Sequence, residues 1–530
     1  MDWRDMNLSL FDKEAVIKIL AKCTGATDEE LKKRLDNRDE TLPEICVLSY
    51  DVPSIKRYIF STSDFRGMFG ASNALSRFDS LATEELEKLG SHVVIAAGGT
   101  GLLICSTEDS KIITDWLNEN FSKNVPGAKL IVSRVNLEPY ELIYGLKKRG
   151  NGTKIEDLKD LTGTGTFSDL FEWLSTKLRE RRNEEIFNSF LLTEEVQRCE
   201  FCSSEAAQVK LIESYNEVHY ICPVCKEKRD LANELIKNRE MAVSINDIDV
   251  SEDTELQNNL FGVIYIDGNN LGNLYSKIRD EKDYREKSQA IERCVAESLK
   301  KAIAENKLEG AYSTPIIGGD DLLLFVPAAK IFAVYETLTE NIDKEFKALG
   351  IGFCCGMALV PKKLPVRFIF EVVEELLKSA KKAAYKANYS NPGNYVAFRM
   401  LLQNSLNPVQ EHSFTAPDVS HRVKEILGKG LPMSEFEEIL QIIRQDDPRK
   451  FSNLLHKIIS CMIDDPLVAK LNMKYFFVHG ERTHDFGKSI AEMINKYFLI
   501  GDTSKTEIES RVLALMELSK AMSLQNGVRA

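Results

Sequence analysis

Residues 316–326 read Ile-Ile-Gly-Gly-Asp-Asp-Leu-Leu-Leu-Phe-Val, and the fold follows from how that stretch is read. Two apolar runs flank a Gly-Gly-Asp-Asp tip, the pattern of a β-hairpin whose turn carries two adjacent carboxylates, Asp320 and Asp321, into solvent. Gly318 and Gly319 let the backbone turn tightly and leave room for a phosphate. Neighbouring carboxylates repel unless a cation sits between them, and hard oxygen ligands suit Mg²⁺ or Mn²⁺. An Asp-rich turn with no chemistry fits the same four residues, because turns favour Gly and Asp.

The flanking sequence separates these readings. Residues 261–272, Phe-Gly-Val-Ile-Tyr-Ile-Asp-Gly-Asn-Asn-Leu-Gly, form a buried-type strand that ends in Asp267 and a turn containing Gly268 and Asn269. Leu274, Ile278, Ile291, Val295 and Leu299 then mark a helical pattern. Beyond the hairpin, Ile331, Val334, Tyr335, Leu338, Ile342 and Phe346 recur at helical spacing, a strand spans 351–360, and a second helix spans 368–387. The order β-α-β-β-α-β is ferredoxin-like. It sets the first strand beside the hairpin, so that Asp267 faces Asp320 and Asp321. Three carboxylates at one end of a sheet suit a two-metal site for phosphoryl transfer. A strand-end Asp also suits a helix N-cap, but the two acidic signals in register favour chemistry.

This segment resembles the palm domain shared by diguanylate cyclases and the CRISPR polymerase, the large subunit of type III CRISPR effector complexes. The cyclase signature has Glu where this chain has Asp321, and Gly-Gly-Asp-Asp is typical of the polymerase. Residues 374–382, Glu-Glu-Leu-Leu-Lys-Ser-Ala-Lys-Lys, resemble the family helix in which a lysine meets the triphosphate. The resemblance makes Lys381 the candidate, with Lys378 one turn earlier. A solvated basic helix face accounts equally well for either lysine alone.

The same order of elements occurs earlier in the chain. Residues 45–60 read as a strand entering an Asp51-containing turn, Phe69 to Leu75 open a helix that includes Ser72, and residues 93–104 repeat the hairpin with Thr100-Gly101 where the later copy has Asp-Asp. This first copy has lost its acids apart from Asp51, so it is expected to bind nucleotide, with Ser72 among the contacts, or to shape the pocket. Between the copies lie Cys199-Glu200-Phe201-Cys202 and Cys222-Pro223-Val224-Cys225. Paired Cys-x-x-Cys knuckles fit a Zn²⁺ tetrathiolate ribbon, structural because no coordination position stays open. A redox dithiol is the weaker reading. The family resembled here also carries two palms with a zinc ribbon between them.

The reading is therefore an α+β protein with two ferredoxin-like (palm/GGDEF-like) domains, an intervening zinc ribbon and a C-terminal helical domain. The expected boundaries are 1–40 (helical lead-in), 41–150 (degenerate palm), 151–257 (helical linker with the ribbon), 258–406 (catalytic palm) and 407–530 (helical). The seven cysteines outside the knuckles lack framework spacing and read as reduced thiols. No leader or membrane-spanning run is evident, so a cytoplasmic protein without membrane partners is expected. A net charge of −12 argues against a freestanding binder of bare nucleic acid. Partner subunits would supply the surface for CRISPR RNA and target RNA.

The resemblance implies an ATP-dependent nucleotidyltransferase, with Asp267, Asp320 and Asp321 holding Mg²⁺ or Mn²⁺ and the first copy holding the acceptor. ATP as acceptor gives cyclic oligoadenylates, whereas S-adenosylmethionine, which also presents an adenosine 3′-hydroxyl, gives its adenylylated form. The bond formed is the same. A catalytically silent structural subunit and a diguanylate-cyclase-like enzyme are the alternatives. The His-Asp nuclease domain of many family members is not expected, since residues 1–40 contain no histidine. His484-Asp485, with His479 and His456 upstream, reads as a chance dipeptide in a helical region.

Overall fold

The structure, a computed structural model, describes residues 9–146, 166–184, 197–212, 218–236, 241–242, 244–248, 259–401, 430–445, 518 and 521–522. The Gly/Thr stretch up to 165, His456, His479, His484-Asp485 and most of 407–530 lie outside the described residues. The chain forms two compact units, Met1–Asn238 with Leu271–Arg293, and Arg239–Asn270 with Cys294–Ala530.

The first unit opens with α1 (Lys13–Thr24) and α2 (Asp28–Asp36). Asp12 caps α1 by accepting the Glu14 N–H at 3.0 Å, and Gly25 ends it, as expected of a helix whose end groups need outside partners. Next come β1 (Ile45–Asp51), α3 (Ile55–Ile59), α4 (Phe65–Lys88), β2 (His92–Ala97), β3 (Thr100–Ser106), α5 (Asp109–Asn124), β4 (Ile131–Leu137), α6 (Pro139–Tyr144) and α7 (Phe167–Glu184). The sheet order is β2-β3-β1-β4. Strand β1 is paired on both sides and buried from Ile45 to Tyr50, which is why it reads as an apolar run broken only by Ser49. Helix α7 packs on β4 and β1 and joins Val16, Leu20 and Tyr284 in one core. A two-stranded ribbon, β5 (Val209–Ile212) with β6 (Val218–Ile221), precedes α8 (Pro223–Ile236).

The remaining elements are β7 (Leu260–Asn269), α9 (Leu271–Tyr275), α10 (Glu281–Asn306), β8 (Ser313–Gly318), β9 (Asp321–Pro327), α11 (Ile331–Leu349), β10 (Gly352–Pro361), α12 (Val366–Ala387), β11 (Tyr395–Met400), β12 (Leu431–Pro432) and α13 (Met433–Gln445). Helix α9 and the first half of α10, to Arg293, belong to the first unit, although they follow the first strand of the second sheet. That sheet runs β12-β11-β10-β7-β9-β8. Its last four strands repeat the order of the first sheet, so the ferredoxin-like repeat is present twice. Sequence periodicity missed the parallel strand β11 and the short β12. Helix α12 buries Val366, Ile369, Phe370, Val373, Leu376, Leu377, Ala380 and Ala384 against β10 and β7. At about 1.5–3 kcal/mol for each large apolar side chain, this face holds the helix at a fixed angle. Its polar face therefore reaches the ends of the strands.

Candidate active site

Strand β7 carries Asp267 to the end of the second sheet, where it faces β9 on one side and β10 on the other. Ile266 pairs with Leu322, and Asp267 pairs with Cys354. Gly318 pairs with Asp321, leaving Gly319 and Asp320 as the two-residue turn. Gly319 has φ +56°, and a side chain built at Gly318 or Gly319 would meet nothing within 4 Å. Glycine at 319 meets the demand of the turn, and the open side of the tip leaves space for a ligand.

The acids are held in place from both sides. The Gly268 N–H donates to Asp320 Oδ2 at 3.0 Å. Lys381, on α12, ion-pairs with Asp267 and donates to the Gly268 carbonyl at 3.1 Å. Burial, then the charges of Asp267 and Asp321, push the Asp320 carboxyl up to about 7. Burial pulls the Lys381 ammonium down, but Asp267, Asp320 and Asp321 outweigh it and hold the group above its ordinary value. Tyr265 beneath them is raised by burial and by the same acids. Such crowding of carboxylates is costly unless positive charge is added, so the donor set fits a hard divalent cation.

The other predicted residues fall in different places. Lys378 pairs with Glu374 at 2.9 Å, its side chain 68% exposed, while Lys381 turns inward. Asn269 is fully buried; its amide donates to Cys354 Sγ at 3.0 Å and the Gly393 carbonyl at 3.3 Å, propping the strand end from within. Ser72 lies half-buried on α4 in the first unit. Two contributors escaped sequence reasoning. Asn270 takes φ +66°, and its N–H meets the Tyr385 hydroxyl at 3.2 Å. Tyr385 stands four residues after Lys381, hence on the same helix face, a spacing that could have pointed to it.

The equivalent end of the first sheet corrects one alignment. Asp51 pairs with Thr100, and Ala97 pairs with Thr100 across the Gly98-Gly99 turn. By strand register Thr100 thus stands where the second copy has Asp321, and Gly99 where it has Asp320. The Gly-Gly doublets that align in sequence are offset by one residue in space. Asp79, buried on α4, accepts the Gly99 N–H at 2.9 Å. Burial lifts its carboxyl to about 7, opposed by the Gly99 and Gly98 N–H groups and reinforced by Glu292. Burial also raises Asp51, against the pull of Arg182 from α7.

In the first unit, ligand atoms of Cys199, Cys202, Cys222 and Cys225 all lie within 4.8 Å of one another. All four residues are buried or nearly so. Four converging thiols fit a tetrahedral Zn²⁺ site with no open position. Among the described residues this is the only group of three or more such side chains drawn that closely together, and the palm aspartates do not form one. No helix among those residues is long and apolar enough to cross a membrane.

Comparison with known proteins bears on both sheets. The family described as Cas10/Cmr2, second palm domain, matches residues 260–389. A Csm1-Csm4 cassette in complex with pppApA superposes with a TM-score of 0.56 at 12% identity, covering 96% of this chain and 72% of the other. The same cassette with cA4 gives 0.54 at 12% identity, covering 94% and 72%. Csm1 of T. onnurineus gives 0.53 at 12% identity, covering 90% and 70%. The search of curated proteins gave no match. At these identities the structures establish the shared fold.

Proposed function

We propose that this chain, a Cas10-type protein by its second palm and by its fold, is the nucleotide-joining large subunit of a type III CRISPR effector complex. The observation that carries the reading is Asp320 on an open tip, facing Asp267, with Lys381 behind them. Asp267, Asp320 and Asp321 would hold Mg²⁺ or Mn²⁺, which lowers the pKa of the attacking hydroxyl and screens phosphate charge. Lys381 adds a fixed positive charge for the triphosphate, and the Gly268 N–H orients Asp320. A ribose 3′-oxygen bonds to the α-phosphorus of ATP, the α–β P–O bond breaks, pyrophosphate leaves, and the hydroxyl proton passes to solvent. Cys199, Cys202, Cys222 and Cys225 would hold Zn²⁺.

Solved relatives are described with pppApA and with cA4, which supports oligoadenylate, closed into a ring, as the product here. A Csm4-type subunit is the corresponding partner, since the relatives are Csm1-Csm4 assemblies. The test incubates the protein, alone and with guide RNA, partner subunits and target RNA, with labelled ATP, with GTP, or with ATP plus S-adenosylmethionine. Oligoadenylate made only with target RNA supports the reading. A product retaining S-adenosylmethionine changes the acceptor, a GTP product changes the donor, and no product under any condition makes the chain a silent subunit.

A further inference from the structure

Lys228 has no place in the chemistry above, yet it is 1% exposed. It lies on α8, three residues after Cys225, so the helix carries a lysine one turn beyond the second knuckle. Its Nζ donates to the Tyr58 carbonyl at 3.0 Å and to Ser61 Oγ at 2.9 Å, and sits 3.9 Å from the centroid of the Tyr58 ring. These partners are neutral, and among the described residues Lys228 makes no ion pair with a carboxylate. Cys225 stands one turn earlier on the same face of α8, and burial brings the Lys228 ammonium down to about 8. A buried cation needs a counter-charge nearby. A Zn²⁺ held by four thiolates carries a net charge of about −2, so the two groups answer each other's need.

The same helix and knuckles grip the turn that follows α3. Phe201, inside the first knuckle, accepts the Ser63 N–H at 2.7 Å. Arg229 pairs with Asp64 at 3.0 Å, both side chains nearly buried, and Asp64 in turn caps α4 through the Gly67 N–H at 2.8 Å. Helices α4 and α8 meet at Gly70, where an added Cβ would stand 1.5 Å from the Lys228 carbonyl oxygen. Only glycine admits that approach.

We propose that Lys228 is the counter-charge of the metal centre formed by Cys199, Cys202, Cys222 and Cys225, and the link through which that centre fixes the Tyr58–Asp64 turn of the first palm. It acts as a positioning residue. The turn begins seven residues after Asp51 and leads into α4, so occupancy of the metal site sets the geometry of the first palm beyond the ribbon itself. The proposal rests on the Zn²⁺ reading of the four cysteines, and the first measurement separates the two.

Zinc is first counted in full-length protein; its absence removes the Zn²⁺ reading and the proposal with it. Zinc release to 4-(2-pyridylazo)resorcinol is then timed for wild type, Lys228→Met and Lys228→Arg, with hydrogen exchange followed across 58–64 and, as a control, 366–387. The expected result is release about tenfold faster in Lys228→Met, partial rescue in Lys228→Arg, and lost protection across 58–64 with none lost in the control. Zinc-stripped wild type should show the same pattern. Wild-type release rates in Lys228→Met, or full protection of 58–64 after stripping, overturn the link. If Lys228→Met does not fold, the stripped wild-type protein alone decides.

Discussion

At the tip of the first palm, two glycines with positive φ rest on a buried acid, Asp79, that takes a backbone N–H from below. At the tip of the second, one of those glycine positions is Asp320, which takes its N–H from the neighbouring strand at Gly268. The first sheet and the last four strands of the second share one strand order and the same two-residue turn. What differs is where the carboxylate sits: under the turn as a strut, or on the turn at its open tip. An acid raised to about 7 is thus present in both palms, buried beneath the turn at Asp79 and on the turn itself at Asp320. The strand framework tolerates the exchange because the turn contributes little to the core.

The sharpest way to break this contrast is to remove the acids. Asp320→Asn with Asp321→Asn should cut nucleotide transfer at least about a thousandfold and leave the melting temperature unchanged or raised, since crowded charges are relieved. Chromatography of labelled products checks this, and wild-type turnover would remove the functional difference between the palms. Asp51→Asn in the first palm should lower the rate far less.

Next in size is the ribbon. Cys222→Ser should lose bound zinc and destabilise the first unit by about 3 kcal/mol, with metal analysis and denaturant unfolding as readouts. A variant as stable as wild type would mean that the knuckles do not support the first palm. Within the second palm, Lys381→Met should slow transfer about a hundredfold, whereas Lys378→Ala, which breaks only an exposed pair with Glu374, should stay within about twofold. Equal losses from both would erase the inward and outward distinction between the two lysines.

The smallest expected effect tests Asp79 as a strut. Its carboxyl lies near 7 in the folded chain against an ordinary 3.8, so the folded state binds the proton more tightly. Stability should therefore fall as pH rises from about 4 to 7 and stay low above that. Asp79→Asn keeps an acceptor for Gly99 and should remove about 3 kcal/mol of that dependence between pH 5 and pH 8, read as a melting temperature that changes less across that window. An unchanged pH profile would show that Asp79 is not the group responsible.

Asp267, Asp320 and Asp321 were legible because short-range patterns, a strand end and a turn, place them, whereas Lys381 follows only from the resemblance to a family helix. Strand order also followed, since alternating apolar runs and helices leave few topologies. Asp79 and Arg182 were not legible, because each acts through a contact that only packing creates. The one-residue offset at Gly98-Gly99 escaped for another reason. Two glycine doublets look alike in sequence, while the hydrogen-bond ladder decides which residues form the turn. Lys228 reads as one more charged residue in a helix until its burial is known.

The division of the chain at Leu271–Arg293 has a consequence for heredity. Ile278 and Tyr284 are buried in the core of the first unit, yet they are encoded after the strand that carries Asp267. A gene cut anywhere between the two palms would separate this insert from the core that buries it. An exchange of the acidic palm that keeps the core of the first unit would have to carry Leu271–Arg293 separately.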